Sequence, residues 1–139
     1  MERSNGVERV RGGRMRWQSV LVLMWLLAQP VWAQLLTNNG AQVVLTTGAL
    51  VTVNGDVQNQ ASGTLELQDA STLEISGNVT ILSGSVQLSG SALMRVTGNM
   101  SVSAGATVDR GGTGTLEVQG TFSNAGAVTN QGTIEVGPP

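Results

Sequence analysis

Two glycine series in this chain share one period. A phrase of apolar, any, apolar, any, Gly, polar, apolar residues occurs at 51–57, 73–79, 94–100 and 116–122. Its glycines, Gly55, Gly77, Gly98 and Gly120, advance in numbering by 22, 21 and 22. A second series, Gly63, Gly84, Gly105 and Gly126, steps by 21 each time. Two independent series with one step define an internal repeat. Within each repeat the apolar residues alternate with period two, the pattern of a strand rather than a helix. The runs are short, rich in Val, Thr, Leu and Ile, and bounded by Gly, Asn, Ser or Asp, the usual turn formers. The first copy holds three of them, near Leu50–Asn54, Val57–Asn59 and Thr64–Leu67.

A repeat of about 21 residues cannot bury its own apolar face, so the copies must share one core by stacking. The expected fold is all-β: a parallel β-solenoid with three short strands per coil and four to five coils, each rising by about 4.8 Å. Equivalent residues then form columns. Val51/Leu73/Met94/Leu116, Val53/Ile75/Val96/Val118 and Val57/Val79/Met100/Phe122 are expected to point inward. A weaker third side carries Leu65/Val86/Val128 beside Leu67/Leu88. That last column would continue as Asp109 and Asn130, and a bulge or register shift is expected there, because an unpaired buried Asp is costly. Thr52, Glu74, Arg95 and Glu117 form an outward column in which Arg95 lies between two acids, a device for fixing coil register. Asn39-Gly40 and Asn54-Gly55 are expected at corners that need positive φ. An antiparallel β-sandwich is the alternative architecture, but it supplies no reason for a fixed repeat step.

The segment 1–33 differs in kind. Five of the seven arginines lie within 1–16, followed by the apolar run 20–28, the breaker Gln29-Pro30, and Val31-Trp32-Ala33. A basic segment, a short apolar core and a small closing residue are the parts of a secretory signal peptide, with cleavage expected after Ala33. Met15 offers a second start. The apolar run falls below the ~18–20 residues that span a bilayer, so no stable membrane span is expected after cleavage. The organisation expected is a signal-peptide helix over 1–33, an N-terminal cap or first partial coil over 34–47, β-solenoid repeats over 48–136 and a tail over 137–139.

From Gln34 onward the chain carries seven acids and two bases, with no Lys, Tyr, Cys or His. Two arginines cannot build a nucleic-acid surface. Cys or His metal sites, a Cys nucleophile, a His base and a Lys Schiff base are excluded by composition. A carboxylate pair could in principle cleave glycosides, but Asp56, Glu66, Asp69, Glu74, Asp109, Glu117 and Glu135 form no recognisable catalytic constellation. No catalytic, cofactor or metal residue is therefore assigned, and no enzyme is expected. Asp56, Asn78 and Asn99 share a column after the corner glycine. Calcium favours such oxygen ligands, yet the nonapeptide calcium-solenoid repeat is absent, and capping of turn amides is the expected role. Asn78-Val79-Thr80 and Asn99-Met100-Ser101 match the glycosylation acceptor pattern, which matters only in a eukaryotic secretory route. Fourteen threonines follow residue 34, but Glu74, Arg95 and Glu117 interrupt the array an ice-binding face would need.

The segments 48–59, 62–67 and 130–136 resemble the low-complexity β-solenoid repeats of exported bacterial surface proteins. The nearest in style are Bacteroidetes proteins that use type IX secretion; filamentous-haemagglutinin-like adhesins and autotransporter passengers are more distant. The resemblance spans nearly all of 40–136 and carries over no functional residue. It implies display, spacing, adhesion or matrix roles at the cell surface or outside the cell, with an unidentified surface or glycan ligand. Type IX cargo ends in a sorting domain and autotransporters in a membrane barrel, and neither fits after residue 136. The function expected is a non-enzymatic exported structural or adhesive segment. Its rivals are a polymer former that associates through coil ends and, further off, a polysaccharide-active enzyme. Thr133–Val136 repeats Thr115–Val118, so it is expected to open a coil that is not completed and to leave an associating end. Leu35–Leu45 is expected to cover the opposite end better.

Overall fold

The computed structural model describes residues 34–137. The expected signal-peptide helix over 1–33 and the last two residues of the tail lie outside the described residues. Fifteen strands follow one another with no helix among the described residues. They are β1 (Gln34–Asn39), β2 (Gln42–Leu45), β3 (Leu50–Val53), β4 (Gly55–Gln60), β5 (Thr64–Leu67), β6 (Thr72–Ile75), β7 (Val79–Ile81) and β8 (Ser85–Leu88). After these come β9 (Leu93–Val96), β10 (Met100–Val102), β11 (Thr107–Arg110), β12 (Thr115–Val118), β13 (Phe122–Asn124), β14 (Ala127–Asn130) and β15 (Thr133–Val136). Every third strand pairs, in parallel, to give three five-stranded sheets: β1-β4-β7-β10-β13, β2-β5-β8-β11-β14 and β3-β6-β9-β12-β15. The fold is a three-sided parallel β-solenoid of five coils. Residues 34–47, which read as either a cap or a first partial coil, supply two sides of coil one, since β1 pairs with β4 and β2 with β5.

The inward columns follow the period-two pattern. Val57, Val79 and Met100 stack in the first sheet and lead to Phe122. Leu73, Met94 and Leu116 stack beside Ile75, Val96 and Val118 in the third sheet. All of these except the half-buried Phe122 are buried, and each fully buried aliphatic side chain contributes about 1.5–3 kcal/mol. The backbone ladder does not stop at corners: the amides of Gln68, Ser89 and Gly111 donate to the carbonyls of Leu45, Leu67 and Leu88 at 2.8, 2.9 and 2.8 Å.

The alternation between a step of 21 and a step of 22 has one source. Counted from the position of Gln60 in each coil, two residues separate the first and second sides in coils one and three (40–41 and 83–84). Three do so in coils two and four (61–63 and 104–106). This corrects the expected third side. The extra residue before β11 moves that strand on by one, so Val108 joins Leu65, Val86 and Val128, and Arg110 stands beneath Leu88. Asp109 points outward and is exposed, and no buried acid has to be accommodated.

The phrase glycines owe their identity mostly to crowding. Of the four, only Gly55 has positive φ, 153°. At Gly77, Gly98 and Gly120 an added Cβ would lie 2.5, 2.5 and 2.6 Å from a backbone carbonyl oxygen of the preceding coil, closer than real Cβ atoms come. The expected positive φ at Gly40 is present at 78°.

Two expectations about the ends are also corrected. Thr133–Val136 opens no new coil: as β15 it is the third side of coil five, paired with β12. Leu35–Leu45 does not seal the first end. Leu36, Val43 and Val51 face the core position of coil one yet remain 47%, 39% and 38% exposed, because in the described residues no coil lies above them.

Candidate functional site

Three polar arrays and the two end coils, each paired on one side only among the described residues, are the features that could carry function. The first array runs along the corner that leads into the first sheet. The amide of Asn78 donates to Asp56 Oδ1 at 2.7 Å, that of Asn99 to Asn78 Oδ1 at 2.9 Å, and that of Thr121 to Asn99 Oδ1 at 2.8 Å. Each side chain thus caps a corner amide one coil further on. The capping expected from sequence is present, and it acts between coils rather than within one turn. Asp56, Asn78 and Asn99, with Gln58, Thr80, Ser101 and Leu35, line an open hollow of about 450 Å³ on the outer face of the first sheet. Its polar lining is amide and hydroxyl with one carboxylate, set beside the aliphatic Leu35, Val57 and Val79, and it holds no aromatic ring.

The second array is the charge ladder on the third sheet. Arg95 Nε donates to Glu117 Oε2 at 2.6 Å, and its Nη1 to Glu74 Oε1 at 3.1 Å. The hydrogen bond and charge of Glu117 raise the Arg95 pKa; desolvation opposes them, and the weaker charge and hydrogen bond of Glu74 add to the rise. Strand register places these three residues side by side on β6, β9 and β12, as their spacing predicts.

The third array is internal and was not singled out from sequence. Asn38 and Asn59 point into the solenoid and are buried. Asn38 Nδ2 donates to Asn59 Oδ1 at 2.8 Å, and Asn59 Nδ2 donates to the Gly63 and Ser83 carbonyls at 2.7 and 3.0 Å. These amides hold the corner between the first and second sides. The signal was available: Asn59 follows inward Val57 with one residue between them, and Asn38 precedes Asn59 by one repeat step.

Arg110 is the other missed residue. Its side chain is fully buried, donating through Nη1 to Asn130 Oδ1 at 2.7 Å and through Nη2 to the Gly114 carbonyl, while Nε has no partner. Burial lowers its pKa. Four residues turn the corner from β11 to β12, but only two turn it from β14 to β15, and the guanidinium fills the space next to this shortened turn.

The remaining acids are dispersed. Glu66 accepts from Gln42 Nε2 at 3.0 Å, and Asp69 accepts from Thr47 Oγ1 at 2.8 Å. Among the described residues no group of three or more acids is placed to hold a metal ion, and no helix is long and apolar enough to cross a membrane. Fold and surface together define a class, the three-sided parallel β-solenoid, here with a charge ladder and a corner column of Asp and Asn that join one coil to the next. No protein-family model matches the chain, and neither a curated protein nor a solved structure is significantly similar to it.

Proposed function

We propose that this chain is an exported, non-enzymatic β-solenoid segment with a structural or adhesive role at the cell surface or outside the cell. One observation carries the proposal: the most prominent polar side chains of the outer faces are spent on neighbouring coils. Glu74, Arg95 and Glu117 hold one another, and Asp56, Asn78 and Asn99 cap corner amides. A surface organised this way favours a rigid spacer or display element over a cleft in which acid and base converge. The basic, apolar and small-residue order of 1–33 supplies the route out of the cell.

The test joins export to inertness. The full chain, expressed in a Gram-negative host, should be recovered outside the cytoplasm with an intact mass that begins at Gln34. The recovered protein should release no reducing or unsaturated ends from pectin-like or alginate-like polysaccharides. Exported protein that retains 15–33 would overturn the cleavage. A turnover abolished by Asp109→Asn or Glu117→Gln would make the protein an enzyme.

A further inference from the structure

The two ends of the solenoid match each other column by column. β1, β2 and β3 are the outer strands of the three sheets at one end, and β13, β14 and β15 are those at the other. Among the described residues each of these strands pairs on one side only, and an unpaired edge is a template for another strand. Because all three sheets are parallel, the last coil of one copy and the first coil of another can meet in the orientation that consecutive coils adopt within the chain.

We propose that copies of this chain stack head to tail, coil five of one copy seating on coil one of the next. The inward positions would bring Phe122 onto Leu36, Val128 onto Val43, Ile134 onto Val51 and Val136 onto Val53. At the first end Leu36, Val43 and Val51 are well exposed, and at the second Val136 is 53% exposed. A second copy covers apolar surface at both ends at once.

The remaining inward position gives the match its specificity. In the first sheet that column reads Asn38, Asn59, Ile81, Val102, Asn124. The amide ladder stops after Asn59 and an amide returns only at the opposite end. Asn124 accepts from the Gly126 amide at 3.0 Å, and its neighbour within the chain is Val102. Set on Asn38 of the next copy, Asn124 extends the ladder by the contact Asn38 already makes with Asn59. The outward positions bring Ser123 to Thr37, Thr129 to Val44 and Glu135 to Thr52, so no like charges meet. The corner of coil five is two residues shorter than that of coil one between the second and third sides, a step the fold already takes between coils four and five. A heterologous contact of this kind does not close on itself, and it extends into a filament.

The inference stands on coil geometry and does not depend on export. The chain has no cysteine, which makes single-cysteine variants clean probes. Thr37→Cys and Ser123→Cys place thiols on the same outward column at the two ends. In the stack their Cα atoms lie about 4.8 Å apart, within the ~4.4–6.8 Å range of disulfides. The two full-length variants, mixed and oxidised with copper–phenanthroline, should give heterodimers at least tenfold above Thr37→Cys mixed with Ser101→Cys, which lies in the same column on an interior coil. Sedimentation of the wild-type chain should show mass rising with concentration, more steeply at high salt, because each copy carries net negative charge. Leu36→Lys, at a position 47% exposed, should shift the association midpoint at least tenfold upward. Equal cross-linking with the Ser101 probe would mean register-blind aggregation. Dominant Thr37→Cys homodimers would mean contact between like ends. A monomer at every concentration without cross-links would mean no assembly. Each of these three results overturns the proposal.

Discussion

Arg110 is the residue at which local pattern and tertiary environment conflict. It occupies the column of Leu67 and Leu88, is fully buried, and meets no carboxylate within salt-bridge distance among the described residues. A buried charge with an unpartnered Nε costs stability, and the lowered pKa points the same way. Arg110→Leu should therefore raise stability by about 1 kcal/mol or more, read as a higher urea midpoint, because it continues an aliphatic column and leaves the Gly114 carbonyl its bond from the Thr133 amide. Arg110→Ala should lower stability by about 2 kcal/mol, read as a lower midpoint, since it leaves a cavity. If both variants are destabilised alike, the guanidinium's two hydrogen bonds outweigh its desolvation. Ser71, whose buried Oγ also lacks a partner, shows the same tension on a smaller scale.

At the scale of the element, register is the quantity that needs protection. A parallel strand slipped by one residue would turn its apolar side chains outward. The ladder of Glu74, Arg95 and Glu117 opposes that slip on the third sheet, and the crowded glycines oppose it at the corners. Arg95 is 38% exposed on its side chain, so solvent and salt screen the ladder and each pair contributes about 0.2–1 kcal/mol. Arg95→Ala should cost no more than about 1 kcal/mol. Arg95→Glu should cost distinctly more, because it stacks three like charges at the coil spacing, and high salt should narrow the gap. Identical denaturant midpoints for the two variants would remove the ladder from the account of register.

For the whole molecule, stability is the sum of coils and of the interfaces between neighbours. Coils two to four are covered on both sides, and coils one and five on one side only in the described residues. Hydrogen exchange at low protein concentration should find the slowest amides in β7, β8 and β9 and markedly faster ones in β1–β3 and β13–β15. Uniform protection across the five coils would mean that the solenoid opens only as one unit. Head-to-tail stacking would close the gap as concentration rises, so the concentration series links fold and assembly in one measurement.

The architecture was legible in the sequence because a solenoid is nearly one-dimensional. A glycine step of 21 or 22 and a period-two pattern together require stacked parallel strands, and the same arithmetic pairs Arg95 with Glu74 and Glu117. The tertiary structure alone decided where within a coil the extra residue of a 22-residue step sits, at the corner between the first and second sides. One extra corner residue inverts every later side chain of a strand, so Arg110 and not Asp109 lies inside, and that choice depends on how the corner packs against the coil before it. It also decided the phase of the coils. A repeating pattern has no intrinsic first strand, so only the pairing of β1 with β4 and of β12 with β15 makes Thr133–Val136 the third side of coil five and leaves Leu36, Val43 and Val51 at an end that no described coil covers.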